Sequence, residues 1–280
     1  MPTHWLTAPF RPIGLDALNA NAAMLERLDH KYVVRAEVLR EIAGELAEHF
    51  DVLEIDGRRS FTYDTCYFDD AERRSYFDHH QGRRRRMKVR VRRYVEAAQC
   101  YVEVKLKDRR GITVKKRMAY PLHKYGTLDD AGVAHVRRSH EAQYGIPFER
   151  ALEPVLQMSY RRTTLVAKAG GERMTIDSRI RFGDDDSATA LDEALFIVET
   201  KSAHGHGVAD AILRRHHQHP SKGCSKYCVG MSATGSVERC NRFRPVLARL
   251  GLLPAPGGAE RAGARGIGGI GGIRAIGGSR

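Results

Sequence analysis

Two neighbouring stretches of the chain, RMKVRVRR at 86–93 and YVEVKLK at 101–107, alternate polar or charged side chains with aliphatic ones. A period of two is that of a β-strand, so the charges of each stretch share one face and the aliphatic residues the other. Like charges directly opposite each other destabilise strand pairing, so a face this uniformly positive needs an anion to neutralise it. Arginine binds phosphate oxygens through paired N–H groups, and lysine adds compact charge. The pattern therefore predicts a phosphate-binding face.

The strands that follow repeat this alternation, which places their polar side chains on the same face. If the sheet curls with that face inward, its interior is a corridor of cations with a few carboxylates. A carboxylate there is a poor direct phosphate contact, but it can hold a divalent cation that also binds phosphate oxygens. The side chains expected on this face are Arg90, Arg92, Glu103, Lys105, Thr113, Lys115, Arg117, Tyr160, Arg162, Thr164, Arg173, Thr175, Asp177, Arg179, Arg181, Glu199 and Lys201.

Each observation also has a structural interpretation. A single basic strand is more often a solvated outer face, whereas three or four with the same sign and matching parity favour an enclosed one. Spacing alone allows Glu103 and Glu199 to be either cation ligands or ion-pair partners of Lys105 and Lys201. Ser225 and Lys226, taken without context, are typical of the end of a helix or strand.

Period-two patterns predict further strands, and a stripe of apolar residues at 36–49 predicts a helix. The segment HKYVV, from His30, begins the first strand of the set. The expected strands after it are 61–70, 112–118, 158–167, 173–182 and 194–201. The expected helices are 36–49, 131–141, 208–217 and 236–250, and a short helix or a loop is expected at about 75–80. This order predicts an α+β domain, mainly antiparallel β, with a closed or nearly closed β-barrel and peripheral helices.

The composition is basic, with 47 Lys and Arg against 34 Asp and Glu over 280 residues, a formal charge of +13. Such a balance indicates a polyanionic partner. Five scattered cysteines do not resemble a secreted disulfide framework, so they are expected to be reduced packing residues. No signal peptide or membrane-spanning apolar run is visible, and a cytoplasmic location is expected.

Three regions follow from these patterns. Residues 1–20 are expected to be an irregular N-terminal arm, and residues 21–253 the tunnel domain. Residues 254–280 are rich in Gly and Arg and poor in large apolar residues, so a disordered tail is expected there.

The ordered motifs HKY, RMKVRVRRY, YVEVKLK, KKR, SYRRT, RMTID, IVETK and CSKY resemble the VTC domain. This is the polyphosphate polymerase domain of the vacuolar transporter chaperone complex, in the CYTH-like triphosphate tunnel superfamily. The resemblance covers roughly Leu25 to Met231. It implies a tunnel-shaped closed β-barrel whose basic lumen binds triphosphate or polyphosphate with Mn²⁺ or Mg²⁺. Nothing in the chain resembles the SPX domain or the membrane segments of the eukaryotic complex, so coupled translocation is not implied.

Carried over by motif, the resemblance implies roles for individual residues. Ser225 and Tyr160 would be neutral phosphate contacts, Glu199 the metal-binding carboxylate and Glu103 a weaker second candidate. One position departs from the family pattern, because Asp29 stands where Glu commonly precedes Lys31. The ExExK signature of triphosphatase relatives is absent, which lowers the hydrolase interpretation. The implied basic contacts are Lys31, Arg90, Arg92, Lys105, Lys115, Arg117, Arg162, Arg173, Lys201 and Lys226.

The resemblance implies an ATP-dependent phosphotransferase that adds the γ-phosphate of a nucleotide triphosphate to a polyphosphate chain. One alternative is a hydrolase of triphosphate or polyphosphate that activates water in the same tunnel. Another is a non-catalytic module that binds polyanions. No specific nucleic acid is expected, because the basic strands lack the regular aromatic side chains that stack on bases.

Overall fold

The computed structural model describes residues 4–21, 28–108, 112–183, 188–203 and 205–253. The helices are α1 (His4–Thr7), α2 (Leu15–Asn21), α3 (Ala36–His49), α4 (Arg74–His80), α5 (Asp130–Tyr144), α6 (Val208–Arg215), α7 (Lys226–Ala233) and α8 (Arg244–Arg249). The strands are β1 (Pro12–Ile13), β2 (Leu28–Arg35), β3 (Phe50–Leu53), β4 (Phe61–Asp69), β5 (Met87–Tyr94), β6 (Gln99–Lys107), β7 (Thr113–Ala119), β8 (Glu153–Ala167), β9 (Arg173–Phe182), β10 (Thr189–Ala190) and β11 (Leu195–Ser202). Two 3₁₀ turns lie at Leu122–Lys124 and Asn241–Phe243.

The long strands form one sheet in the order β2-β11-β9-β8-β4-β5-β6-β7, antiparallel throughout. The mainly antiparallel α+β architecture is therefore as predicted. The closed barrel is not confirmed, since β2 and β7 are the ends of this path and do not pair with each other in the described chain. At the β2 edge, the amide of Ser221 donates to the carbonyl of Lys31 at 2.6 Å, so a loop occupies a position that a closing strand would need.

Helices cover the aliphatic face of the sheet on its outside. Val89 and Val102 of the two basic strands are buried in a cluster with Val136 of α5. On the other side, α3 and α6 pack on the outer faces of β2, β9 and β11, with Leu39 and Ile212 fully buried. Because side chains alternate across a strand, this packing turns the charged set inward.

A β-bulge changes this alternation in β9. The register of β8 and β9 shifts between Ser159 and Arg161, and Arg179 has a φ of 49°. Beyond the bulge, Ile180 and Phe182 are buried inside the sheet while Arg179 and Arg181 are exposed. The prediction that these two arginines face inward was wrong. The extra residue in β9 moves each side chain after the bulge to the opposite face of the sheet from the one that simple alternation predicts.

Helix α7 fills part of the concave side of the sheet, where Val229 and Met231 pack with Met158, Phe182 and Ile197. The hydroxyl of Tyr227 fixes this helix by donating to the buried carboxylate of Asp69 at 2.5 Å. The sequence predicted a helix at 236–250 instead, where α8 and a 3₁₀ turn occupy only the second half. Since Tyr227–Ser232 are all buried, α7 has no polar face and shows no helical period.

The N-terminal segment is more regular than expected, because α1, β1 and α2 lie within 4–21 and Leu6 and Phe10 are buried. The predicted tail at 254–280 lies outside the described residues. All five cysteines are free and buried, which agrees with their predicted role in packing. No helix in the described ranges has the length and apolar character needed to cross a membrane.

Two glycine-to-alanine substitutions should have opposite effects on stability. A Cβ at Gly230 of α7 would lie 2.5 Å from a methyl of Leu156 and 2.6 Å from the ring of Phe182. Gly230→Ala should therefore lower the free energy of unfolding by about 1–3 kcal/mol. Gly44 of α3 has open space around its Cβ position, so Gly44→Ala should raise it by about 0.5–1 kcal/mol. Urea unfolding measures the free energy of unfolding of each variant. If G230A were as stable as G44A, the packing of α7 described here would be contradicted.

Candidate functional site

The concave side of the sheet encloses a cavity of about 770 Å³. The structure brings all the predicted site residues to its lining except Glu103, which lies buried directly behind it. Fourteen arginine and lysine side chains line the cavity with two carboxylates, Asp29 and Glu199. The predicted inward orientation of the basic strands is thus observed, while the role of each residue stays a prediction. The predicted residues in the lining are Lys31, Arg90, Arg92, Lys105, Lys115, Arg117, Tyr160, Arg162, Arg173, Glu199, Lys201, Ser225 and Lys226.

Glu103 neutralises one group of these cations. Arg90 Nε donates to its Oε2 at 2.7 Å, and Lys115 forms an ion pair with its Oε1. Arg92 NH1 lies 3.7 Å from Oε2. Burial opposes the ionisation of this fully buried carboxylate, but the charges of Arg90, Arg92 and Lys115 outweigh it and hold its pKa well below the ordinary value. Both oxygens are therefore engaged by cations, which makes Glu103 a weaker metal ligand than its spacing suggested.

Asp177, which had no individual role in the sequence pattern, neutralises a second group of cations. Arg162 binds it through two hydrogen bonds of 2.6 and 2.8 Å, and Lys226 Nζ lies 2.5 Å from Oδ2. Burial opposes ionisation here also, but Arg162 and Lys226 hold the pKa of Asp177 below its ordinary value. This carboxylate fixes the α7 terminus to the sheet, because Lys226 is the first residue of α7. The register that pairs Arg162 with Asp177 is the signal that could have indicated it.

Glu199, which lies in the cavity wall, neutralises a third group of cations. Lys31 and Lys201 both approach its Oε1, at 3.2 and 3.0 Å. Burial opposes its ionisation, but Lys31, Lys201 and Lys105 hold its pKa well below the ordinary value. Among the described residues Lys105 forms no ion pair, and burial together with Arg90 lowers its pKa far below that of an ordinary lysine. An anion entering here would therefore stabilise the charged form of Lys105.

Two buried hydroxyls in the lining have no hydrogen-bond partner within the described part of the chain, those of Tyr160 and Thr175. A buried polar group without a partner is costly, and a bound ligand or water is its usual partner. The Tyr160 ring stacks on Tyr63 with centroids 5.3 Å apart, and Arg162 lies 5.3 Å from the centroid of each ring. The aromatic packing holds the hydroxyl of Tyr160 in place, so it can donate to a phosphate oxygen.

The donor set fits a divalent cation only in part. No cluster of three His, Cys, Asp or Glu side chains that could hold a metal occurs in the described ranges. Glu199 lies opposite Thr175 in the register of β11 and β9, which puts the unpartnered hydroxyl beside the carboxylate. A magnesium-type cation is commonly held by one or two carboxylates plus substrate phosphates and water. The site fits a cation that arrives with a phosphate substrate.

Lys88 is a cavity residue that the sequence pattern placed on the inner face without giving it a role. Its Nζ donates to Ser225 Oγ at 2.9 Å, and the same oxygen accepts from the amide of Cys228 at the start of α7. Burial, with the nearby charges of Lys31 and Arg90, lowers the pKa of Lys88. The contact links β5 to the α7 terminus.

Replacing Asp177 should test the balance of charge. In Asp177→Asn, Arg162 and Lys226 would stay buried without a counter-charge, so the free energy of unfolding should fall by about 3–5 kcal/mol. Tripolyphosphate should raise the melting temperature of this variant more than that of the wild type, because the anion supplies the missing charge. The control is Asp56→Asn, at an exposed turn. Equal melting temperatures for D177N and the wild type would contradict this account.

Lys88 should also give a pH dependence to anion binding. Its lowered pKa means that it loses its proton at a pH below that of an ordinary lysine, near 10.4, so tripolyphosphate affinity should fall as the pH rises toward that value. Lys88→Arg keeps the charge throughout, because arginine does not deprotonate in this range. The ratio of K88R affinity to wild-type affinity should increase with pH. The corresponding ratio for the exposed control Lys116→Arg should not change with pH. Parallel K88R and wild-type profiles would refute the assignment.

The chain was compared with curated proteins, solved structures and protein-family models. A search of curated proteins finds no match. A Bacillus halodurans protein named as a candidate adenylate cyclase is 13% identical, covers 71% of this chain and 95% of its own, and has a TM-score of 0.46. A Hippeastrum protein is described as a candidate adenylyl cyclase with dominant triphosphatase activity. It is 12% identical, covers 77% of this chain and 100% of its own, and has a TM-score of 0.44. Likenesses this distant carry no argument about function. The family model described as the VTC domain matches residues 26–234, three-quarters of the chain, so the chain belongs to the VTC domain family.

Proposed function

We propose that this chain is a phosphotransferase that moves the γ-phosphate of a nucleotide triphosphate onto a polyphosphate chain inside the basic cavity. The observation that carries the proposal is the charge of that cavity. Fourteen basic side chains face two carboxylates in the lining. Even with the buried carboxylates of Glu103 and Asp177 included, the fourteen cations exceed the four carboxylates by ten formal charges. A linear polyanion with a charge on every unit is the ligand that best neutralises such a cavity.

The arginines supply fixed donors to the substrate. Arg90 and Arg162 are held by Glu103 and Asp177 through hydrogen bonds of 2.6–2.8 Å, so their orientation is set before any ligand arrives. Donors fixed in advance stabilise charge that develops in the transition state without the cost of reorganisation. The hydroxyl of Tyr160 adds a neutral donor from the same wall.

The lysines near Glu199 would hold the transferred phosphoryl group. Lys31, Lys105 and Lys201 surround this carboxylate, and all three line the cavity. The terminal oxygen of a growing chain, or of a priming phosphate, would attack the γ-phosphorus in line while these cations neutralise the equatorial oxygens. The bond from the γ-phosphorus to the β,γ-bridging oxygen would break, and the nucleoside diphosphate would leave with the electron pair. No protein nucleophile is needed. A bound Mn²⁺ or Mg²⁺ would supply additional neutralisation of phosphate charge, with Glu199 and Thr175 as the residues that would hold it.

The partners expected from this reaction are a nucleotide triphosphate and polyphosphate. We expect the reaction to take place in the cytoplasm, where ATP is the common donor. The binding of a specific nucleic acid is not part of the proposal.

The proposal is tested by incubating the purified protein with ATP and Mn²⁺ and sizing the products. Long polyphosphate on a gel supports it, whereas free phosphate alone would indicate a hydrolase, and binding without turnover a polyanion-binding module. Glu199→Gln should lower the rate by about a hundredfold or more, the usual effect of removing one charged group that acts on the transition state. Glu141→Gln, an exposed carboxylate on α5, serves as the control. Unchanged turnover in E199Q would refute the role of Glu199.

A further inference from the structure

A second basic cavity, of about 320 Å³, lies outside the first one, near the start of β5. Its wall combines the segment before β5 with the C-terminal end of α5. One carboxylate, Asp78, faces four arginines there. The residues that line it are Asp78, Arg83, Arg85, Arg86, Met87, His140, Tyr144, Ile146 and Arg150. We call the set of Arg83, Arg85, Arg86 and Arg150 the arginine track.

The arginine track holds more positive charge than its carboxylate neighbours neutralise. Arg83 Nε lies 3.4 Å from Asp78, and Arg150 lies 3.3 Å from Asp70. Arg86 donates to the carbonyl oxygen of Arg83 rather than to a carboxylate. Arg85 is exposed and forms no ion pair within the described residues. Two of the four guanidinium groups thus have no acidic partner, which favours an anionic ligand.

The track is continuous with the first cavity. Arg86 lines both cavities, and it stands one strand period before Lys88 and two before Arg90. The hydroxyl of Tyr144 donates to the carbonyls of Arg86 and Lys107, at 3.1 and 2.8 Å, and so fixes the ends of both basic strands. A chain of phosphates that leaves the first cavity along β5 would therefore pass Arg90, Lys88 and then Arg86, so a cationic side chain would follow at every strand period.

We propose that the arginine track binds the part of a polyphosphate chain that extends beyond the first cavity. This inference rests on the proposed function, because it takes polyphosphate as the ligand. The wall suits an unbranched phosphate chain better than a nucleic acid. Base stacking needs available aromatic rings, and the ring of Tyr144, the one tyrosine in the wall, already packs against His140 with centroids 4.9 Å apart. A ligand held at this second place would dissociate more slowly between additions, so long products would be favoured.

The test compares two anions that differ only in length. Tripolyphosphate can be held by the first cavity alone, whereas long-chain polyphosphate can reach the track as well. Arg83→Gln/Arg85→Gln should lower the affinity for the long chain by about tenfold, because two phosphate contacts are lost, and should leave tripolyphosphate affinity unchanged. Arg137→Gln/Arg138→Gln, two exposed residues of α5 outside the track, removes the same charge and should change neither affinity. Melting temperatures show that each variant is folded.

Several outcomes would overturn the inference. These are an unchanged long-chain affinity in R83Q/R85Q, an equal loss in R137Q/R138Q, or an equal loss of affinity for tripolyphosphate. A larger loss for single-stranded DNA than for polyphosphate would identify the track as a nucleic-acid surface instead. Failure of the proposed function gives a different result, in which the wild type makes no polyphosphate from ATP. A selective loss of long-chain affinity in R83Q/R85Q would still support the track in that case.

Discussion

Repulsion between like charges is the constraint around which the inner face of this sheet is built. Arg90 is buried and the side chain of Arg162 is only 17% exposed, and an arginine in such a place needs a nearby counter-charge because it cannot lose its proton. Glu103, Asp177 and Glu199 provide it from three different strands, and all three have lowered pKa values because of the cations they contact. The carboxylates neutralise enough charge for the sheet to fold, yet leave an excess that only an external anion can balance. Stability and ligand affinity are therefore set by the same contacts.

Much of this arrangement could be predicted from the sequence, because it depends on local alternation. Lys88, Arg90 and Arg92 of β5 and Lys105 and Lys107 of β6 line the cavity as the period of two requires, and the helix at 36–49 has the predicted bounds. The bulge at Arg179 could not be predicted, since a single extra residue leaves the composition of the strand unchanged while reversing its faces. Helix α7 was missed for the opposite reason, as burial on every side removes the period that identifies a helix.

Spacing could not separate the roles of the two candidate metal carboxylates, because Glu103 and Glu199 each stand two residues before a lysine in a basic strand. Their surroundings in the folded chain differ. Glu103 is fully buried and has cations on both oxygens, whereas Glu199 lines the cavity and receives its two closest lysines on one oxygen. This difference comes from strands distant in the sequence, which no local pattern records. We therefore expect Glu103 to position Arg90, and Glu199 to be the one of these two carboxylates that a ligand can reach.

The inner face is also divided along its length, and the division limits where a long anion can go. Met158, Phe182 and Ile197 fill one part of the concave side together with α7, so that part is closed by apolar packing. A phosphate chain that entered this part would lose its hydration water and find no positive charge to compensate, so entry is unfavourable. The basic part continues instead along β5 to Arg86, whose side chain lies at the wall of both cavities. If the proposed function is correct, the same apolar helix that carries Ser225 and Lys226 at its start would direct an extending anion toward the arginines outside.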